Sequence, residues 1–163
     1  MEQFARVERY LKRIRNVYSG DNVILWDDRE CVEDDILSFF MHCHHLQDWV
    51  VNLNKICVEF DQIKQFIESH KSLQICADLA NQSKHCRLTK KQWSNVKPHL
   101  AGVQYESVGD AELSGVRGKF AVVTENEVID VLELAESCWH HWNNLKQNIE
   151  QQWACSGLIP SDT

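Results

Sequence analysis

The sequence predicts a mainly α-helical fold, an antiparallel bundle of four to five helices with a small β-hairpin insertion near residues 102–123. Five segments repeat apolar residues at steps of three and four, which places those residues on one side of an α-helix. Between residues 102 and 123 the pattern changes to short β-branched and aromatic runs separated by glycines, which is typical of two strands and a turn. The 163 residues therefore indicate a single helical domain, 1–163, with a flexible tail over about 155–163.

The first two helices are predicted over residues 2–18 and 29–54. Gly20 is a suitable stop for the first, and the basic residues of its second half, Lys12, Arg13 and Arg15, are interpreted as a solvated face. Carboxylates crowd residues 27–35, where the start of the second helix favours negative charge, so that acidic run requires no metal. The core side of the second helix is predicted to consist of Ile36, Phe39, Cys43, Leu46, Val50 and Leu53, flanked by His42, His45 and Trp49.

Three further helices are predicted after residue 56. One runs over about 57–69 and buries Phe60, Ile63, Phe66 and Ile67, and another continues to about 85–88. Residues 94–100 are not expected to be helical. Thr124 and Glu127 match a capping box and are predicted to open the last helix, over about 127–153. Its core side is predicted to consist of Val131, Leu134, Ala135, Cys138, Trp142, Leu145, Ile149 and Trp153.

Charge and cysteine content limit the class of protein. The formal charge of −7 argues against a protein that coats nucleic acid along its whole surface, but it leaves room for a local anion site. Seven cysteines, an odd number without a Cys-x-x-Cys pair, favour free thiols in a reducing cytoplasm, where buried cysteine behaves as a small apolar residue. Neither a signal peptide nor a membrane span is predicted, and no cofactor is expected.

A polar stripe on the fourth predicted helix is the main candidate site. Gln74, Asp78, Asn81 and His85 follow each other at steps of four, three and four, so they lie along one side of the helix. A basic run, in which Lys84, Arg87, Lys90 and Lys91 would bind an anion, begins where the stripe ends. The functional interpretation is an anion or nucleotide site in which His85 provides acid/base chemistry on a phosphodiester and Asp78 orients it. The alternative is a solvated face, or a buried hydrogen-bond network that ties this helix to the hairpin.

Metal binding has weaker support in the sequence. The chain contains eight histidines but no His-x-x-x-His, His-Glu-x-x-His or Glu-x-x-His, the spacings that helical metal sites use. A metal site is therefore kept only as an alternative hypothesis, built on His44 and Asp48 with Asp78 or His85.

Three stretches resemble known families. The segments His45–Trp49 (HLQDW), Asp78–His85 (DLANQSKH) and Val131–Glu136 (VLELAE), followed by Cys138 and Trp142, are similar to a group of short uncharacterised bacterial helical proteins. The helix with Asn81 and His85 more distantly resembles the motif helix of the HEPN superfamily. Members of that superfamily are small helical bundles, usually dimeric, and the active ones cut RNA without a metal.

The HEPN resemblance implies a role for each matched position. Asn81 would take the polar position after the family's arginine, and His85 would take the catalytic histidine, while Ala80 stands where the arginine belongs. The resemblance therefore implies two alternatives: a domain that binds RNA, a nucleotide or a protein partner without catalysis, or a metal-independent ribonuclease in which Arg87 or a lysine replaces the arginine. It also implies a homodimer.

Overall fold

Six helices and one three-stranded antiparallel sheet make up the part of the chain that the structure, a computed structural model, describes. This part consists of residues 2–20, 29–52, 58–84, 92–108 and 115–155. The prediction of a mainly helical fold with a small β-element is confirmed. In chain order the elements are α1 (Glu2–Ser19), α2 (Arg29–His44), α3 (Leu46–Val51), α4 (Phe60–Glu68), α5 (Lys71–Lys84), β1 (His99–Val108), β2 (Gly115–Val123), β3 (Val128–Asp130) and α6 (Val131–Cys155).

Helix α1 follows its predicted pattern. It ends at Ser19, and Gly20 adopts a left-handed φ of 78°, which glycine accepts without steric cost. The side chains that α1 buries recur at the predicted steps of three and four: Phe4, Val7, Leu11, Ile14 and Val17.

The single helix predicted over residues 29–54 is wrong, because α2 ends at His44 and α3 begins at Leu46. At the break the Asp48 amide donates to the carbonyl of His45, a step of three residues where a continuous helix would use four. Helix α3 ends at Val51, where the side-chain amide of Asn52 donates to the Asp48 carbonyl at 2.7 Å. The predicted core side of this region is buried from Ile36 to Val50, and Leu53 lies outside the described residues.

Helix α4 is shorter than predicted at its N-terminal end. Glu59 and Gln62 form a capping box there: the Gln62 side chain accepts a hydrogen bond from the Glu59 amide at 3.0 Å. Phe60 is consequently the first helical residue and is 51% exposed, which corrects its predicted burial, whereas Ile63 and Ile67 are buried as expected.

Helix α5 is more deeply buried than its pattern suggested. Asp78 and Ile75 are buried together with the predicted apolar side, so the middle of the helix is enclosed on almost every side. Ser83 is exposed, and its hydroxyl donates to the Ala80 carbonyl. The helix is described as far as Lys84, and residues 85–91 lie outside the described residues.

The sheet contains a third strand that the sequence did not predict, in the order β1-β2-β3. The prediction that Thr124 caps the last helix is wrong. Its hydroxyl instead accepts hydrogen bonds from the Asn126 and Glu127 amides and closes the turn between β2 and β3. Helix α6 begins four residues later than expected, capped by Asp130, whose carboxylate accepts from the Leu132 amide at 2.8 Å.

One core joins the helices and one face of the sheet. Helix α2 packs against α1 and α5, and α6 contacts α1, α2, α5 and the sheet. Tyr18 fastens α1 to β2: its hydroxyl donates to the Phe120 carbonyl at 2.9 Å and accepts from the Phe120 amide at 3.0 Å. None of the helices in the described ranges combines the length and the apolar character required to cross a lipid bilayer.

Candidate functional site

Asp78, the carboxylate of the predicted stripe, is 1% exposed and binds the segment that precedes β1. It accepts hydrogen bonds from the Trp93 amide at 2.8 Å, from the Ser94 amide at 2.8 Å and from the Ser94 hydroxyl at 2.5 Å. These bonds tie α5 to residues 93–96, close to the start of the sheet. The alternative interpretation of the stripe was a buried network tying this helix to the hairpin, whereas the bonds of Asp78 reach the segment before β1.

The other residues of the stripe differ in their surroundings. Gln74 and Asn81 are half-buried, and Ala80, which stands at the HEPN arginine position, is fully buried. Lys84 is exposed at the end of α5. The predicted proton-transfer residue His85 and the predicted anion-binding residues Arg87, Lys90 and Lys91 lie outside the described residues, so their roles stay predictions.

Lys84 contacts a basic surface on α1 and α2 that was not predicted from the sequence. Its amine lies in direct contact with Nε2 of His45, and the His45 and His42 ring centroids are 6.4 Å apart. His42 in turn lines a cavity of about 430 Å³ on the surface of α1. We call the following seven residues the cationic surface: Arg6, Arg9, Tyr10, Arg13, His42, His45 and Lys84.

The cavity combines guanidinium groups with a stacked pair of rings. Tyr10 and His42 stack with centroids 5.2 Å apart and an interplanar angle of 26°, and the Arg13 guanidinium carbon lies 5.1 Å from the Tyr10 centroid. Gln3, which is 1% exposed, donates to the His42 carbonyl at 2.9 Å and so fixes this part of α2 against α1. The rings are therefore held on a rigid support.

Two of the three arginines already have acidic partners. Arg6 pairs with Glu2 at 2.8 Å, and Arg13 pairs with Asp35 at 2.7 Å. Both pairs are solvent-exposed and are therefore weak, so an anion could compete for the guanidinium groups. Arg9 is exposed and forms no ion pair among the residues in the described ranges.

Burial and the neighbouring positive charges lower the pKa values of the two histidines of this surface. Burial, reinforced by the charges of Arg6, His45 and Arg9, lowers the pKa of His42. Burial and the charge of Lys84 lower the pKa of His45, against a smaller opposite effect of Asp48. Because both histidines sit below their ordinary range, they are mostly neutral at pH 7, and a bound phosphate would favour their protonation.

Within the described residues, one group of side chains that can bind a metal lies close together, and it contains no histidine. Cys43, Cys76 and Cys138 place their Sγ atoms within 4.8 Å of one another, and all three are buried. His44 and Asp48, the residues of the predicted metal site, belong to no such group within the described ranges.

A sequence signal for part of this arrangement existed. Arg6, Arg9 and Arg13 follow each other at steps of three and four, so they share one side of α1, whereas only the basic residues of the second half of that helix were interpreted from the sequence. Cys43 and Cys138 were predicted on the core sides of their helices, but the point where they meet Cys76 depends on how three helices pack.

Comparison with known proteins gave no relatives: no family model, no curated protein and no solved structure matches this chain.

Proposed function

We propose that this protein binds single-stranded RNA through the cationic surface, without catalysis. The observation that carries the proposal is the contact between Lys84 and His45, which joins the arginines of α1 to the residue where the basic run of the sequence begins. Along the chain, Lys84 is followed by Arg87, Lys90 and Lys91. The arginines of α1 and Lys84 of α5 supply the electrostatic part of phosphate binding, and we propose that the basic run adds to it.

Aromatic groups at the same surface favour a single strand over a duplex. The Tyr10 and His42 rings lie among the arginines, and Trp49, one helical turn beyond His45, is 42% exposed. Unpaired bases stack on exposed rings, whereas the bases of a duplex are already stacked. The acidic remainder of the protein would repel nucleic acid and limit binding to this surface.

The HEPN resemblance supports the same binding role. Ala80 is buried and lacks a guanidinium group, so the residue that would stabilise a scissile phosphate is absent from that position.

We also propose a cytoplasmic, HEPN-like antiparallel bundle that forms a homodimer. Cleavage by His85 with Asn81 stays a prediction, and incubating the protein and His85→Ala with mixed RNA in chelator tests it: intact RNA in both samples rejects cleavage.

The binding test is the salt dependence of affinity for a labelled single-stranded RNA, measured by fluorescence anisotropy. The slope of log K against log salt changes by about 0.7 for each phosphate of a single strand that the protein neutralises, so the double variant Arg6→Gln/Arg9→Gln should reduce it by about 1.4. The matched control Lys64→Gln/Lys119→Gln removes the same charge from exposed sites outside the cationic surface and should leave the slope unchanged.

Two further measurements extend the test. Affinity should rise as the pH falls from 7.5 to 6, because a bound phosphate raises the lowered pKa values of His42 and His45 and proton uptake accompanies binding. Changing Lys90 and Lys91 to Glu should abolish binding if the basic run takes part. Absence of RNA binding by the unmodified protein at low salt, or equal slopes for the double variant and its control, would reject the proposal and leave the protein-partner role. Equal affinity for single-stranded DNA of the same sequence would show that the protein binds single strands without distinguishing RNA from DNA.

A further inference from the structure

Three buried thiols meet where three helices pack together. Cys43 lies on α2, Cys76 on α5 and Cys138 on α6, and these residues are 0%, 1% and 0% exposed. Their Sγ atoms all lie within 4.8 Å of one another. Cys31 is exposed at the start of α2 and takes no part in this group.

We propose that Cys43, Cys76 and Cys138 form a binding site for one thiophilic divalent cation of the Zn²⁺ class. In a tetrahedral zinc–thiolate site, Zn–S bonds of about 2.3 Å place neighbouring sulfurs about 3.8 Å apart. Sulfurs within 4.8 Å of one another need to approach by only about 1 Å to reach that spacing. The helices therefore bring the ligands together before any ion binds.

The number of thiolates favours a divalent cation over a monovalent one. Three thiolates with a divalent cation leave one net negative charge in the core, whereas a monovalent cation would leave two. Because burying net charge is costly, the divalent ion is favoured. Soft sulfur ligands also select thiophilic metals over Mg²⁺ and Ca²⁺, which prefer oxygen.

A buried hydrogen-bond donor lies in the same core as the three thiols. It is Nε1 of Trp142, which lies one turn beyond Cys138 on α6 and has no hydrogen-bond partner among the described residues. An N–H group beside a ligand sulfur can serve as an outer hydrogen-bond partner of a metal–thiolate site.

Metal uptake has a defined proton balance. The cation forms three metal–sulfur bonds, and each thiol releases one proton to solvent. The hydrogen bonds that the Cys76 and Cys138 thiols now donate to the Phe40 and Ser72 carbonyls, at 3.4 and 3.3 Å, are broken in the process. Since three protons compete with the metal, its affinity should fall steeply as the pH is lowered.

The test uses the full chain with its other four cysteines, Cys31, Cys57, Cys86 and Cys155, changed to serine. The reduced, metal-free protein is titrated with Co²⁺ as a spectroscopic probe for Zn²⁺, both in the native state and during refolding from urea, so that slow entry into the core does not hide binding. The expected result is a thiolate-to-cobalt charge-transfer absorption that saturates at one equivalent per chain and disappears when Zn²⁺ is added. Zn²⁺ should also raise the melting temperature.

Cys138→Ala in the same background is the matched control, since alanine keeps the position apolar and removes one ligand. It should lose both the absorption and the Zn²⁺-dependent rise in melting temperature while retaining its helical circular dichroism. If this variant does not fold, the titration of the parent chain still decides. Absence of the absorption in the parent, equal absorption in a folded Cys138→Ala, or a disulfide between two of the three cysteines in place of metal uptake would overturn the proposal.

Discussion

Replacing Asp78 by alanine would remove the carboxylate that holds residues 93–96 against α5. Three donors would lose their acceptor: the Trp93 amide, the Ser94 amide and the Ser94 hydroxyl. A hydrogen bond to a charged group contributes about 1.5–3 kcal/mol, and an orphaned buried donor costs about 1–3 kcal/mol. Because Trp93 and Ser94 are only half-buried, water can replace part of the loss, and the expected decrease in unfolding free energy is about 3 kcal/mol.

The measurement is urea unfolding followed by far-UV circular dichroism, with the free energy extrapolated to water. Asn81→Ala, on the same helix and less than one turn further along, is the control and should change stability by less than about 1 kcal/mol. A loss below about 1 kcal/mol for Asp78→Ala would refute the reasoning that these bonds anchor the segment. Unchanged stability of Asp78→Asn together with weakened RNA binding would instead support the functional interpretation of the stripe.

Three further changes test other contacts. Tyr18→Phe should lower the unfolding free energy by about 1–3 kcal/mol, because the Phe120 amide and carbonyl lose their shared partner. Burial, with the charges of Lys84 and His45, lowers the pKa of His44 to about 4, so the unfolded chain binds this proton first and up to about 3 kcal/mol of stability should be lost as the pH falls from 6.5 to 4. Arg15→Gln should cost less than about 1 kcal/mol despite its two bonds to Glu136 at 2.6 and 2.7 Å, because both side chains are exposed.

Each of these changes has its own control and contrary result. Tyr10→Phe removes a hydroxyl from the same helix and should be nearly neutral, so equal losses for the two tyrosines would contradict the role of the bridge from Tyr18 to Phe120. His44→Gln should flatten the loss of stability between pH 6.5 and 4, and an unchanged acid profile would show that another group is responsible. A loss above about 2 kcal/mol for Arg15→Gln would mean that its ion pair is more shielded from solvent than its exposure indicates.

The helices were predictable where apolar spacing was long and uninterrupted, as in α1 and α6. The break after His44 was not, because the apolar rhythm continues from Cys43 to Leu46 and Val50 across it, and all three are buried. The predicted start of α6 was wrong because a threonine followed three residues later by a glutamate occurs in two local structures. The threonine hydroxyl can cap a helix or, as at Thr124, close a β-turn.

The candidate sites depended on packing that the sequence does not contain. Helical spacing alone could group Arg6, Arg9 and Arg13, but only the packing of α1, α2 and α5 brings them near His42 and Lys84. Asp78 had the spacing of an exposed polar stripe, and it is buried because residues 93–96 cover it and supply its donors. The cysteine cluster likewise arises from the packing of three helices. In each helix taken alone, the cysteine is one more residue of an ordinary apolar side.

The ion pair between Arg15 and Glu136 joins residues 121 positions apart, and it lies where the first helix meets the last. During synthesis α1 and α2 leave the ribosome long before α6 exists, so the part of the α1 surface that packs against α6 stays exposed on the partly made chain. Contacts of such long sequence separation slow folding and expose sticky intermediates. Completion of this core is therefore delayed until α6 has emerged.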